Sequence, residues 1–170
     1  LPREAYPEAE GRVIEELKAL GKPFLILLNS AHPQGEAAQK LRAKLAEQYD
    51  VTCLAVSCLD LDQQAVTEII QAVLYEFPLE ELQLFLPDWV ETLPTEHPIR
   101  TALFQAIRAQ AGKLVRIRDV KPAVAAMGQC ELVTGASVPG MKLGSGCCQA
   151  RLELPRSLFY DTLSQQTGFA

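Results

Sequence analysis

The sequence predicts an α/β chain in two parts, the end of a parallel-sheet domain followed by a small α+β unit with antiparallel strands. In the first part, helical periodicity alternates with short apolar runs, as in a parallel sheet covered by helices on both faces. In the second part, the apolar pattern changes to a period of two, and glycine-rich turns separate the alternating stretches. We therefore expect one domain over residues 1–80 and another over residues 81–170.

The first part is predicted to run helix, strand, helix, strand, helix. Pro7 opens the first helix and Gly21 closes it. The apolar runs Phe24–Leu28 and Val51–Val56 predict the two strands, because fully covered parallel strands carry continuous apolar residues. The other two helices are marked by Ala37, Ala38, Leu41, Leu45 and Tyr49, and by Val66, Ile69, Ile70, Val73 and Leu74. Two strands cannot form such a sheet alone, so we expect further strands before Leu1 and a longer parent protein.

The second part begins with a strand in which leucines alternate with other residues from Leu82, and Pro87 ends it. A helical pattern over Ile99–Ile107 follows. A second, short helix is predicted to begin at Asp119 as its N-cap, with Pro122 tolerated in the first turn.

Two alternating stretches, Cys130–Val138 and Cys147–Leu154, predict an antiparallel pair of strands. We expect the connecting turn to hold both Pro139-Gly140 and Gly144-Ser-Gly146. The glycines do not form a phosphate loop, since no Lys-Ser/Thr ending and no helix follow them. A final helix is predicted over Arg156–Gln166.

Composition and charge exclude several classes of protein. The net charge of -5 and 48% hydrophobic residues are typical of a globular domain, and the longest apolar run is too short to cross a bilayer. Five cysteines without a signal peptide indicate a reducing compartment, with the cytoplasm expected. An acidic chain whose basic stretch contains only one aromatic residue, Phe104, does not fit nucleic-acid binding.

Polar residues follow both predicted strands of the first part. These are Asn29-Ser30 and Ser57-Cys58, and ligands of open α/β sheets bind beyond the carboxyl ends of the strands. In phosphate-loop GTPases, two such strand ends read the base through Asn-Lys-x-Asp and Ser-Ala, whereas here His32 takes the place of the guanine-reading Asp. Two interpretations stay open, a base pocket made by these four residues or ordinary turn formers.

Neither a catalytic centre nor a metal site is predicted within the chain. A nucleophile needs a base, and the two histidines, His32 and His97, stand beside no candidate nucleophile in sequence. Cys147 and Cys148 are expected on opposite faces of a strand, and the other cysteines are not clustered. We expect the cysteines to be small core or strand residues.

Charge is unevenly distributed in the second part. The acidic residues are Glu76, Glu80, Glu81, Asp88, Glu91 and Glu96. The basic residues are Arg100, Arg108, Lys113, Arg116, Arg118 and Lys121, interrupted only by Asp119. The two blocks either pair within the domain or form complementary faces on neighbouring subunits, with Arg116 and Arg118 as candidate self-assembly residues.

Several stretches spread along essentially the whole chain resemble one known family, that of stage IV sporulation protein A. They are Glu8–Lys18, Gly21–Phe24, Asn29-Ser30, Leu74–Pro78, Leu86–Val90, Arg116–Val120 and Leu143–Gly146. The resemblance implies a phosphate-loop GTPase-like fold that uses ATP and Mg²⁺, in a protein that polymerises on the forespore surface as the basement layer of the spore coat. Loss of the guanine-reading Asp at His32 agrees with a preference for ATP.

The resemblance also implies an ATPase domain, a middle domain and a C-terminal domain. This chain would hold the last part of the first and the middle domain, while the phosphate loop and magnesium ligands would precede Leu1. The fragment alone is therefore expected to be inactive and to bind no nucleotide tightly. Other spore coat morphogenetic proteins and a membrane-associated peptide anchor would bind mainly the C-terminal domain, on the mother-cell side of the forespore surface. The alternative is a non-catalytic α/β module for protein interaction or regulation.

Overall fold

The computed structural model describes residues 6–167, with side chains described up to residue 164. Residues 1–5 and 168–170 lie outside the described residues. The chain forms two compact units, residues 1–76 and residues 77–170. Over the described range, no helix combines the length and the apolar character needed to cross a membrane.

The first unit contains three helices and two strands in the predicted order. They are α1 (Pro7–Ala19), β1 (Ile26–Asn29), α2 (Glu36–Tyr49), β2 (Cys53–Val56) and α3 (Gln63–Tyr75). Strands β1 and β2 pair in parallel, with Ile26 opposite Cys53 and Asn29 opposite Val56, so both end at the same edge of the sheet. The predicted alternation of helices and parallel strands is thus confirmed for this unit.

The core of the first unit lies between the sheet, α1 and α2. Its buried residues are Ile14, Leu45, Tyr49, Val51 and Cys53, and Phe24 packs against them. Both strands are shorter than the apolar runs that predicted them, and the first residue of each run, Phe24 or Val51, packs in the core outside the strand. Helix α3 buries no residue completely, and its Ile70 remains 55% exposed.

The second unit is a three-stranded sheet with helices. Its elements are β3 (Glu81–Phe85), α4 (Asp88–Thr92), α5 (Pro98–Ala111), α6 (Val120–Met127), β4 (Gly135–Lys142), β5 (Cys147–Glu153) and α7 (Arg156–Thr167), with a 3-10 turn at Ile117–Asp119. The strand order is β3-β5-β4, with β4 antiparallel to β5 as predicted. Strand β3 pairs with β5 in parallel, a relation that the sequence did not predict.

The core of the second unit centres on β5, the middle strand. Alternate residues Cys148, Ala150 and Leu152 are at most 1% exposed, while their neighbours along the strand face outward. Helical residues complete this core. They are Val90, Leu103, Val120, Val124 and Met127, together with Ile117 of the 3-10 turn.

Two sequence predictions for the second unit are wrong. Pro139-Gly140 does not belong to the turn but lies within β4, where the register shifts between Ser137 and Gly140. A bulge accommodates a proline that a regular ladder would exclude, so the connecting turn is left with residues 143–146 only. The predicted strand beginning at Cys130 starts instead at Gly135.

Asp119 occupies the N-cap position of α6 as predicted, but its side chain does not cap the helix. Its carboxylate accepts hydrogen bonds from the backbone N–H of Val115 at 3.2 Å and of Arg116 at 2.8 Å. Asp119 therefore fixes the turn that precedes α6. The short helix α4 was not predicted, because five residues are too few to show helical periodicity.

Candidate functional site

The strand-end cluster, defined as Asn29, Ser30, Ser57 and Cys58, lies where β1 and β2 both end. The parallel register brings the two strand ends together, and the side-chain oxygen Oδ1 of Asn29 accepts a hydrogen bond from the Cys58 backbone N–H at 3.0 Å. The backbone N–H of Ser30 donates to the Val56 carbonyl at 2.9 Å. The structure therefore joins the two sequence motifs through Asn29.

The two serines of the cluster stabilise their own loops. The hydroxyl oxygen of Ser30 accepts from the His32 backbone N–H at 3.2 Å, and the Ser57 hydroxyl donates to the Asp60 carboxylate at 2.7 Å. Asn29 and Cys58 are exposed, whereas both serines are half-buried. The cluster is thus an ordered, solvent-accessible surface rather than an enclosed site.

A cavity of about 330 Å³ lies beside the end of β2, and only one residue of the cluster, Ser57, lines it. Its wall includes the side chains of Asp60, Asp62 and Glu68, which give it an acidic lining. Asn29, Ser30 and Cys58 are not among the lining residues, so they present their polar groups outside this cavity.

Two acidic residues of this region were missed by sequence reasoning. Asp60 holds Ser57, and Asp62 is the N-cap of α3, where its carboxylate accepts from the Ala65 backbone N–H at 2.7 Å. An aspartate directly before an apolar helical run is a recognisable cap signal. The contact of Asp60 with Ser57 has no comparable pattern in the sequence.

The five cysteines are free thiols in separate environments. Burial raises the pKa of the Cys53 thiol, and the nearby Arg42 guanidinium lowers it by a smaller amount. Burial also raises the pKa of the Cys148 thiol, with the adjacent Cys147 adding to the shift. Cys148 is buried and Cys147 half-buried, which agrees with their expected positions on opposite faces of β5. Raised thiol pKa values mean that neither Cys53 nor Cys148 is an activated nucleophile.

His97 has a structural role. It is the N-cap of α5, and its ring nitrogen Nδ1 accepts from the Ile99 backbone N–H at 3.3 Å. This contact satisfies one of the free backbone N–H groups in the first turn of α5.

Arg116 and Arg118 flank the buried Ile117 in the 3-10 turn before α6. Both arginines are half-buried, and Nε of Arg118 lies 3.8 Å from the carboxylate of Asp119. Other charges of the two blocks also have local partners. Glu76 is buried and accepts from the Thr52 hydroxyl, and Arg100 donates to the backbone carbonyl of Leu93.

The strand-end cluster offers hydrogen-bonding groups to a ligand. Within residues 6–167, no group of three or more His, Cys, Asp or Glu side chains is arranged to hold a metal. With Oδ1 of Asn29 bonded to Cys58, the Asn29 amide nitrogen is the group that the cluster offers as a donor. A ring nitrogen or carbonyl oxygen of a base is a suitable acceptor for it.

Comparison with known proteins gives the same family over both units. The model for the family "Stage IV sporulation protein A, ATPase domain" matches residues 1–78, and that for "Stage IV sporulation protein A, middle domain" matches residues 79–170. Curated relatives named stage IV sporulation protein A match over 99% of this chain with 34% identity, in Clostridioides difficile (strain 630), Bacillus subtilis (strain 168) and Bacillus anthracis. The chain spans 34% of the length of each of these relatives. No solved structure gives a significant match.

Proposed function

The chain belongs to the stage IV sporulation protein A family, and on that premise we propose that it is part of a spore coat protein that hydrolyses ATP to drive its own assembly. The matches to an ATPase-domain model and a middle-domain model of this family support the proposal. Residues 1–80 would be the last part of a phosphate-loop ATPase domain with a GTPase-like sheet, and residues 81–170 would be the middle domain. The observation that carries the proposal is the match of the ATPase-domain model to residues 1–78.

We assign Asn29, Ser30, Ser57 and Cys58 to the rim of the base pocket. Their position at the carboxyl ends of two parallel strands is where ligands of open α/β sheets bind. His32 supplies no carboxylate to accept from the N–H groups of guanine, which favours adenine. In the parent protein, bound Mg²⁺ and the phosphate-gripping loop would supply the hydrolytic chemistry. The four residues of the strand-end cluster would bind and orient the base.

An apolar groove in the first unit supports the expectation of a larger ATPase domain. The groove measures about 430 Å³ and runs beside α1 and β1, where Val13 is 48% exposed and Leu27 is 44% exposed. Exposed apolar patches of this kind mark surfaces that another part of the protein covers. Since the matched relatives are about three times longer, we assign this groove to contact with further ATPase-domain residues.

A nucleotide-binding experiment on the longer parent protein tests the base assignment. We expect Asn29→Ala to weaken ATP binding about tenfold, since a lost hydrogen bond in a recognition site is worth roughly 1 to 1.5 kcal/mol. Gln48→Ala, on the exposed face of α2, is the matched control and should bind like the wild type. Calorimetry measures both. Equal ATP affinity for the Asn29 variant and the control would contradict the assignment.

A second experiment tests the base preference. His32→Asp restores the carboxylate that reads guanine in phosphate-loop GTPases, so the variant should gain about tenfold or more in GTP affinity relative to ATP. His32→Asn, which places an amide there, is the control. An unchanged ratio would show that position 32 does not face the base.

We expect the fragment to fold, at least from Leu82 onward, and to show no ATP turnover, because the groups that grip phosphate and metal are absent from its sequence. Turnover by the purified fragment that disappears in Asn29→Ala would refute this placement of the catalytic centre.

Self-assembly is assigned in part to Arg116 and Arg118. In the longer parent protein, replacing both by Glu should slow polymer formation followed by light scattering, since complementary charge promotes association. Replacing the exposed pair Lys40 and Lys44 of α2 by Glu makes the same charge change outside the basic block and serves as the control. Unchanged assembly of the first variant would assign these arginines to pairing within the domain.

The remaining assignments concern partners and place in the cell. We infer, from the family resemblance, contacts with other spore coat morphogenetic proteins and with a membrane-associated peptide anchor, made mainly by residues beyond this chain. The corresponding location is the cytoplasmic, mother-cell side of the forespore surface.

One observation favours a second candidate, a non-catalytic interaction module. The serines of the strand-end cluster bond within their own loops, as turn-forming residues do: Ser30 accepts from His32 and Ser57 donates to Asp60. A parent protein that binds no ATP, while its purified form still binds a protein partner through this surface, would establish the module instead.

A further inference from the structure

The second unit ends its sheet on one side with β3, a five-residue strand whose only charged residue is Glu81. Strand β3 (Glu81–Phe85) is regular along its length and contains no proline and no lysine. Its Leu82 and Leu84 are only half-buried, and Phe85 is 44% exposed. An exposed regular edge of this kind is a template for pairing with a further strand.

The opposite edge of the same sheet is protected. Strand β4 carries Pro139, a change of register between Ser137 and Gly140, and Lys142 at its end. Proline, bulges and lysine are the devices by which proteins prevent edge-to-edge association. Because β4 has all three devices and β3 has only the charge of Glu81 at its start, the difference points to β3 as an edge that is used.

The backbone groups on this open edge can be identified from the pairing of β3 with β5. The Glu81 N–H donates to the Gly146 carbonyl, so Glu81 directs its N–H towards β5. Successive N–H groups of a strand point to opposite sides, and therefore Leu82 and Leu84 direct their N–H and C=O groups to the open edge. The bridge between Pro78 and Arg116 lies before this stretch and Pro87 lies after it, which limits the available edge to β3.

The side chains of β3 suit pairing with a copy of itself. If two β3 strands run antiparallel about Gln83, Leu82 faces Leu84 of the other copy, and Glu81 faces Phe85. The Leu82 and Leu84 backbones then form hydrogen-bonded pairs, Gln83 faces Gln83, and no two like charges are opposite one another. A parallel arrangement in the same register would instead place Glu81 against Glu81, which is destabilising.

We propose that β3 is a self-association edge, at which a second copy of this chain adds its β3 antiparallel to form a continuous six-stranded sheet. The two-fold contact closes a pair of subunits, so a polymer needs a second surface as well. The contact supplies one interface of the proposed self-assembly and in that respect rests on the proposed function. The contact itself uses no residue of the strand-end cluster, so it can be tested apart from ATP binding.

Sedimentation of the 170-residue chain tests the proposal through Gln83. Gln83→Lys places two like charges opposite one another at the centre of the contact, and dimer formation should weaken about fivefold, the upper part of the range for such pairs. Gln149→Lys is the matched control. Gln149 donates to Gln83 at 3.1 Å on the same outer face, so both variants alter this bond and add the same charge. Strand β5, however, is not at the edge of the sheet.

A mixing experiment makes the result specific. Gln83→Lys and Gln83→Glu chains should each associate weakly alone, and an equimolar mixture should recover dimers because Lys then faces Glu. A monomeric wild type, equal weakening by Gln149→Lys, or no recovery on mixing would overturn the proposal. None of these outcomes depends on ATP binding by the parent protein, which the Asn29→Ala experiment measures separately.

Discussion

Gly146 offers the sharpest test of the second unit, because both its left-handed backbone conformation and the lack of space for a side chain require glycine. It ends the turn between β4 and β5 with φ +67°, and a Cβ placed there would lie 2.8 Å from Cγ of Glu80 and 3.0 Å from the Pro78 carbonyl oxygen. The Glu80 side chain can move away, but the Pro78 carbonyl belongs to the backbone beside the bridge to Arg116. Gly146→Ala should therefore strain the junction between β3 and β5.

The cost follows from two terms. A left-handed conformation costs an L residue about 1 to 2 kcal/mol, and forcing a methyl group against fixed backbone costs about 1 to 3 kcal/mol. We expect Gly146→Ala to lower the free energy of unfolding by about 2 to 5 kcal/mol. With a typical urea dependence of about 1 to 3 kcal/mol per molar for small proteins, the midpoint should fall by about 1 M or more.

The fluorescence of Trp89 is the assay. It is the only tryptophan in the sequence, and its ring centroid lies 5.9 Å from that of Phe159, so its emission reports unfolding of the second unit. Gly144→Ala is the control in the same turn, since a Cβ there meets nothing within 4 Å, and its midpoint should change little. Equal midpoints for the Gly146 and Gly144 variants would refute the reasoning.

Three further predictions follow from single contacts. His97→Ala removes the cap of α5 and should destabilise the second unit by about 1 kcal/mol in Trp89-monitored urea unfolding, while His97→Asn, which can also cap, should retain most of it. Burial raises the pKa of the Cys148 thiol, so above about pH 9 the unfolded chain loses this proton before the folded one does; the urea midpoint should fall with rising pH, and less steeply in Cys148→Ala. In the folded chain, iodoacetamide should modify the exposed Cys58 well before the buried Cys53, as peptide mass mapping over time would record; equal rates would contradict the burial that raises the pKa of Cys53.

Local signals predicted most of the elements. Pro7 and Gly21 bracket α1 as expected, and the continuous apolar runs became the parallel strands of the first unit. These features depend on the backbone preferences of proline and glycine and on which residues avoid water, and both properties act within a few residues of sequence.

Features that depend on distant partners were not predictable in the same way. Pro139-Gly140 has the composition of a turn, yet it lies in a strand because β5 provides a ladder that a bulge can join. The parallel pairing of β3 with β5 joins residues more than sixty positions apart, and the intervening sequence carries no signal for it. The carboxylate of Asp119 accepts from the backbone N–H groups of Val115 and Arg116 rather than from those of α6, because the preceding turn brings these two groups close to it.

The candidate site shows the same division. Asn29, Ser30, Ser57 and Cys58 were chosen from the sequence because polar residues followed two apolar strands. Sequence alone determined the residue types, the alternation of helices and strands and the family resemblance, since each of these depends only on the order of residues along the chain. Only the tertiary structure decided that the Asn29 side chain bonds to the Cys58 backbone and that β3 has an open edge, because both depend on which strands lie side by side.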